Sequence, residues 1–136
     1  EIIHGRIVRY MATGRKPGYA GDAITVALWL FVKANKPGGI AVGDNKGFLC
    51  NLTHRFSFSP DAAYYTGEDS GAKFYPTSPV FAVEVRSESD YGAAAEAEMQ
   101  SKRRDYFAAD TEVVWDVDVL QGDAVVRKYT KAGGAQ

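Results

Sequence analysis

The sequence predicts an α+β domain: a central mixed β-sheet with helices packed against it. Three observations carry that expectation. Residues 18–36 place Ala20, Ile24, Ala27, Leu28, Phe31 and Val32 at helical spacing, and residues 92–109 form a second helical stretch rich in Ala, Glu and Met. Short β-branched or aromatic runs lie before, between and after them, giving the order strand pair, helix, strand meander, helix, strand hairpin. At 136 residues the chain suits one domain with its own core, expected over 1–130 with an unpatterned tail at 131–136.

Each element has a local reason. Residues 2–10 read as two short strands pivoting at Gly5, with β-branched side chains on alternating faces. Residues 13–18, with Gly, Pro and cations, read as a loop, and Pro17 suits the first turn of the helix that follows. Pro37-Gly38-Gly39 stops that helix. Strands are expected at 40–43 and 47–52, joined as a hairpin by Asp44-Asn45-Lys46-Gly47. Phe56, Phe58 and Ala62-Ala63-Tyr64-Tyr65 point to another strand around Asp61, and 66–79 to a long surface loop. The clearest strand is 80–86, apolar up to its end except at Glu84; Ser89 or Asp90 can then cap the second helix. A hairpin over 111–119 and 124–129 closes the sheet, turning at Leu120-Gln121-Gly122-Asp123. Trp29 and Trp115 are read as core.

Composition removes several classes. Hydrophobic residues at 46% and charged residues at 24% are close to the globular average, which argues against a disordered chain. The longest apolar run, 27–32, is far too short to cross a bilayer. No signal peptide is visible, although the chain opens on Glu1 and an upstream segment is compatible with that start. A single cysteine, Cys50, excludes an intramolecular disulfide and reads as a strand thiol in a reducing cytoplasm. The net charge of −1 gives no overall attraction to nucleic acid, so any such contact must come from a local patch.

Two carboxylates carry the chemistry. Asp61 follows Ser59-Pro60, and Glu84 lies mid-strand between apolar neighbours, where a carboxylate is costly to bury unless something pairs with it or binds it. On neighbouring strands, the pair and the Val85 carbonyl form a hard-oxygen set for Mg²⁺ or Mn²⁺, the ions suited to phosphodiester hydrolysis. A lysine is then needed nearby. Arg86 carries charge but cannot act as a base, whereas Lys102 lies on the second helix four residues before Tyr106, on one face. Each residue also has a plainer reading. Asp61 suits a turn cap, Glu84 an ion pair with Arg86 or Arg104, and Lys102 a solvated position beside Glu98. His4 and His54 have no second ligand near in sequence and read as ordinary histidines.

The order of motifs resembles a known family. Glu1-Ile2-Ile3-His4-Gly5-Arg6-Ile7-Val8, Ser59-Pro60-Asp61-Ala62-Ala63, the stretch Pro79 through Asp90, Lys102-Arg103-Arg104-Asp105-Tyr106 and Glu112-Val113-Val114-Trp115-Asp116 are similar, in order, to segments of the bacterial Uma-two family of restriction-endonuclease-like proteins. Departures are Pro17 where the family often has His, Glu88 where it has Pro, and Asp110-Thr111 where it has Gly-Val. The resemblance implies a PD-(D/E)xK restriction-endonuclease-like core, with Asp61 and Glu84 as metal ligands, Lys102 as the catalytic lysine and Glu1 completing the metal site. It implies hydrolysis of nucleic acid, with DNA expected over RNA, and a homodimer that cuts both strands. Arg86 is expected to hold a phosphate, with Arg15, Lys16, Arg103 and Arg104 as further backbone contacts. The rivals are a non-catalytic binding or dimerisation module that kept the fold, and a phosphohydrolase for small molecules.

Overall fold

The computed structural model describes residues 1–8 and 13–132, so Arg9 and Tyr10 of the expected strand pair, and 133–136 of the expected tail, lie outside the described residues. The chain begins with a hairpin of β1 (Ile2–Ile3) and β2 (Arg6–Ile7), in which Ile2 pairs with Ile7 and Ile3 with Arg6. The two turn residues, His4 and Gly5, both have positive φ, the conformation a two-residue hairpin loop demands. Helix α1 (Arg15–Asn35) starts three residues before its predicted start, because Pro17 fits its first turn. It ends at Lys36 in the left-handed region. Gly39 then passes so close to β-sheet backbone that a Cβ would meet the Tyr65 carbonyl, and its φ of 73° independently calls for glycine.

The next strands are β3 (Ile40–Val42), β4 (Phe48–Leu49), β5 (Ser57–Phe58) and β6 (Ala62–Tyr65). The predicted β3–β4 hairpin is not formed. β3 pairs antiparallel with β6 and β4 with β5, so the turn at Asp44–Gly47 links two different sheets. Long-range burial decides this, since the pairing gathers Val42, Phe48, Ala63 and Tyr65 into one cluster, with Tyr75 stacked 4.5 Å from Phe48. After 66–80 come β7 (Phe81–Val85), α2 (Ala93–Ala108), β8 (Val113–Asp118) and β9 (Val125–Thr130). The central sheet runs β3-β6-β7-β8-β9, antiparallel except for β7 and β8, which lie parallel across the α2 crossover. The fold is therefore α+β, with a helix on each face of a mixed sheet.

Strand alternation separates the two faces. Phe81, Val83 and Val85 of β7 pack with Ala20 and Ile24 of α1, while Ala82 faces Phe58 and Tyr106 on the α2 side. Glu84 shares the α2 face, so a five-residue strand buried on both sides presents one carboxylate to a helix. Two expectations fail nearby. The N-cap of α2 is Gly92, because Asp90 turns back to accept from the Ser87 N–H and hydroxyl. Trp29 is 51% exposed on the outer side of α1, whereas Trp115 packs edge-on against Phe81.

Candidate active site

The site forms where β6 begins and β7 ends. Asp61 immediately precedes β6; its N–H donates to the Val83 carbonyl, and its Oδ2 accepts from the Val85 N–H at 2.6 Å. Those two bonds bracket Glu84 and set Asp61 beside it. Gly21 of α1 approaches Asp61 from the opposite side, its absent Cβ lying 3.8 Å from the Asp61 Cβ. Burial pushes the Asp61 carboxyl up to about 6, partly countered by the Val85 N–H.

Glu84 is held at both oxygens from α2. Lys102 Nζ donates to Oε1 at 2.9 Å and the Tyr106 hydroxyl to Oε2 at 2.7 Å. Their four-residue spacing places both donors on one helix face. Tyr106 is fully buried and stacks 3.9 Å from the Phe58 ring, which fixes its hydroxyl. Burial is the largest influence on Glu84; Lys102 opposes it, and Asp61 and Glu1 add to it, so the carboxyl rises to about 7. Its side chain remains 19% exposed and thus reachable.

Lys102 has a second partner, Glu1, whose Oε1 lies 2.8 Å from Nζ. Burial works against the ammonium, but Glu84 and Glu1 together hold its pKa well above the ordinary lysine value. Glu1 in turn accepts from Arg55 Nη1 at 2.8 Å and from the Ser59 N–H. Burial raises its carboxyl, and Lys102 with Arg55 more than reverses that, leaving it lowered. Arg55 Nε donates to Asp105 Oδ2 at 2.8 Å, and Asp105 Oδ1 lies 2.6 Å from His54 Nε2. A continuous chain of polar contacts thus runs His54, Asp105, Arg55, Glu1, Lys102, Glu84.

The structure brings together Asp61, Glu84, Val85 and Lys102 as the sequence anticipates. Glu1, expected as a metal ligand, lies against Lys102, between the hairpin and α2. Its oxygens are engaged by two cations and a backbone N–H. Arg86 and Arg103, expected at phosphate, are buried between α2 and the sheet. Arg86 forks onto Asp116 at 2.9 and 2.7 Å and also reaches Glu96, while Arg103 lies 3.7 Å from Asp116 and over the Tyr129 ring. Parallel register explains this: Glu84 stands opposite Asp116, so the next residue on that face, Arg86, meets its carboxylate. Arg15, Lys16 and Arg104 are exposed. Sequence reasoning passed over Arg55, Asp105 and the pairing of His54, because their partners lie about fifty positions away and no local period marks them. Tyr106 had a signal, its spacing from Lys102. Among the described residues no three His, Cys, Asp or Glu side chains form a ready metal cage, and no helix is long and apolar enough to cross a membrane.

No curated protein matches the chain. A crystal structure from Anabaena variabilis ATCC 29413, described as "a putative nuclease belonging to DUF820", superposes with a TM-score of 0.60 at 13% identity, covering 92% of this chain and 74% of that one. That likeness is one of fold. A family model matches residues 1–131, and the chain accordingly belongs to the Uma2 family, described as "Putative restriction endonuclease", a membership that supports a nuclease activity.

Proposed function

We propose that the chain is a divalent-cation-dependent endonuclease that hydrolyses phosphodiester bonds of DNA, with Mg²⁺ or Mn²⁺ held by Asp61, Glu84 and the Val85 carbonyl. The observation that carries this reading is the buried carboxylate pair at the end of β7. Asp61 and Glu84 stand side by side there, bracketed by the bonds that join Asp61 to the Val83 carbonyl and the Val85 N–H, and Lys102 is the cation that meets Glu84. Burial pushes both carboxyls up, Asp61 to about 6 and Glu84 to about 7, so a divalent ion bound between them would offset the cost of holding both charged. Hard oxygen donors suit Mg²⁺.

A bound divalent ion would supply charge neutralisation at the phosphate and a more acidic bound water. The residues of the chain do the positioning. Tyr106 and Lys102 orient Glu84 so that its outer lone pairs stay available, and the Val85 N–H does the same for Asp61. Lys102 keeps its proton and acts as a fixed donor to a phosphate oxygen or attacking water, rather than as a base. Arg15 and Lys16 occupy the first turn of α1, which has no side-chain cap and no acidic residue. Cations there oppose the helix dipole, and a phosphate would relieve that conflict. Gly21, which touches Asp61, lies roughly 9 Å further along the axis at 1.5 Å per residue, so the first turn of α1 is less than two helical turns from the site. Arg104 is a further candidate on α2, and a homodimer working in a reducing cytoplasm would present two such sites to the two strands of a duplex.

Calorimetry with Mg²⁺ and Mn²⁺ on the intact chain, Asp61→Asn and Glu84→Gln, paired with plasmid cleavage, tests the reading. Binding and nicking by the intact chain that both variants lose is the expected result. A folded chain that binds neither ion would overturn it in favour of a non-catalytic module, and cleavage confined to small phosphate esters would favour the phosphohydrolase.

A further inference from the structure

We infer that the outer face of α1 is the contact by which two copies of this chain pair, antiparallel across a two-fold axis. The helix packs on the sheet through Ala20, Gly21 and Ile24, among others, so the opposite side should be polar. It is not. Tyr19 is 76% exposed, Val26 57%, Trp29 51% and Leu30 58%. Single exposed apolar residues need no account, but four large ones on one stripe of one helix mark an interaction surface.

Charge selects the occupant. Asp22, Val26, Trp29 and Lys33 are spaced by four, three and four residues, the spacing of a helix–helix seam. A seam reading acid, apolar, apolar, base is complementary to itself when reversed. Against an antiparallel copy, Asp22 meets Lys33, and Val26 meets Trp29, twice over. This is the isologous arrangement a two-fold requires. Lys33 already lies 4.5 Å over the Trp29 ring of its own chain, which holds the ammonium at the seam. Tyr19 and Leu30 flank the contact on one side.

The area fits a weak pair. Scaling typical side-chain areas by these exposures gives on the order of 400 Å² of apolar surface per copy, about half the ~800 Å² per partner of a standard interface. The polar rim must supply the rest, so a dissociation constant in the micromolar range is expected. The contact lies on the side of α1 turned away from the sheet and does not depend on the nuclease reading.

Sedimentation velocity across a micromolar concentration series tests it, with circular dichroism melts to show that each variant folds. The intact chain is expected to associate reversibly to a dimer. Trp29→Asp is expected to weaken association at least tenfold, and Asp22→Lys or Lys33→Asp each several-fold. The double variant Asp22→Lys with Lys33→Asp is expected to recover the affinity, because reversal of both charges restores the complement. A chain that stays monomeric to hundreds of micromolar, a dimer indifferent to Trp29→Asp, or a double variant no better than the singles would each overturn the pairing.

Discussion

Glu84→Gln removes the charge that the fold holds at greatest cost. The native Glu84 carboxyl sits at about 7 against an ordinary 4.5, chiefly because it is buried, with Asp61 and Glu1 adding to Lys102's incomplete compensation. At about 1.36 kcal/mol per pKa unit, the ionised form costs the folded state roughly 3 kcal/mol. The sign is set by linkage. The folded chain holds this proton where the unfolded chain has lost it, so stability falls as pH rises from about 4.5 and the loss is complete above about 7. Between pH 5 and 8 Glu84 accounts for roughly 2.5 kcal/mol of that loss, and Asp61, raised from 3.8 to about 6, adds about 1.4. Urea titrations at both pH values are expected to show the intact chain losing roughly 2.5 kcal/mol more than Glu84→Gln between pH 5 and 8. Other titrating groups cancel in that difference. Mg²⁺ at a hundred times its dissociation constant is expected to return about 2.7 kcal/mol at pH 8 to the intact chain and nothing to the variant. Equal stability of the intact chain at both pH values, together with no response to Mg²⁺, would refute the strained-carboxylate account of the site.

Three further outcomes follow from the same contacts. Tyr106→Phe keeps the Phe58 stack and loses one bond to a carboxylate, so urea unfolding at pH 8 is expected to show a loss of about 1–2 kcal/mol with the near-ultraviolet spectrum retained. Arg55→Met leaves Glu1 and Asp105 buried without their shared cation and is expected to cost about 3–5 kcal/mol; Arg55→Lys should rescue little, because one ammonium cannot reproduce the fork from Nε to Asp105 and Nη1 to Glu1. Lys102→Met is expected to lower cleavage by at least about 10²-fold while calorimetry still detects Mg²⁺, since Asp61 and the outer face of Glu84 remain.

The two halves of the site were unequally legible. A carboxylate in the apolar run of β7 stands out in the sequence because a strand buried on both faces has no cheap place for charge, and the Lys102–Tyr106 spacing put two donors on one turn-to-turn stripe of α2. Those signals are local and periodic, and the folded chain brings the residues together. The partners of Arg86 were invisible, since an arginine two residues past Glu84 looks like a phosphate ligand until the parallel register sets Asp116 beside it. Glu1 acquired its place in the same way, through the β1–β2 hairpin and the bond from the Ile2 N–H to the Ser57 hydroxyl.

The sequence by itself determined the α+β class, both helices, the β7 strand with its carboxylate, and the family. These rest on short-range spacing, which backbone geometry converts directly into helix faces and strand faces. Tertiary structure alone decided that β3 leaves its neighbour β4 for β6, that Glu1 lies against Lys102, and that Trp29 faces outward. Pairing across tens of residues is chosen by which combination buries the most apolar surface and neutralises the most charge, and that is a property of the whole chain rather than of any segment within it.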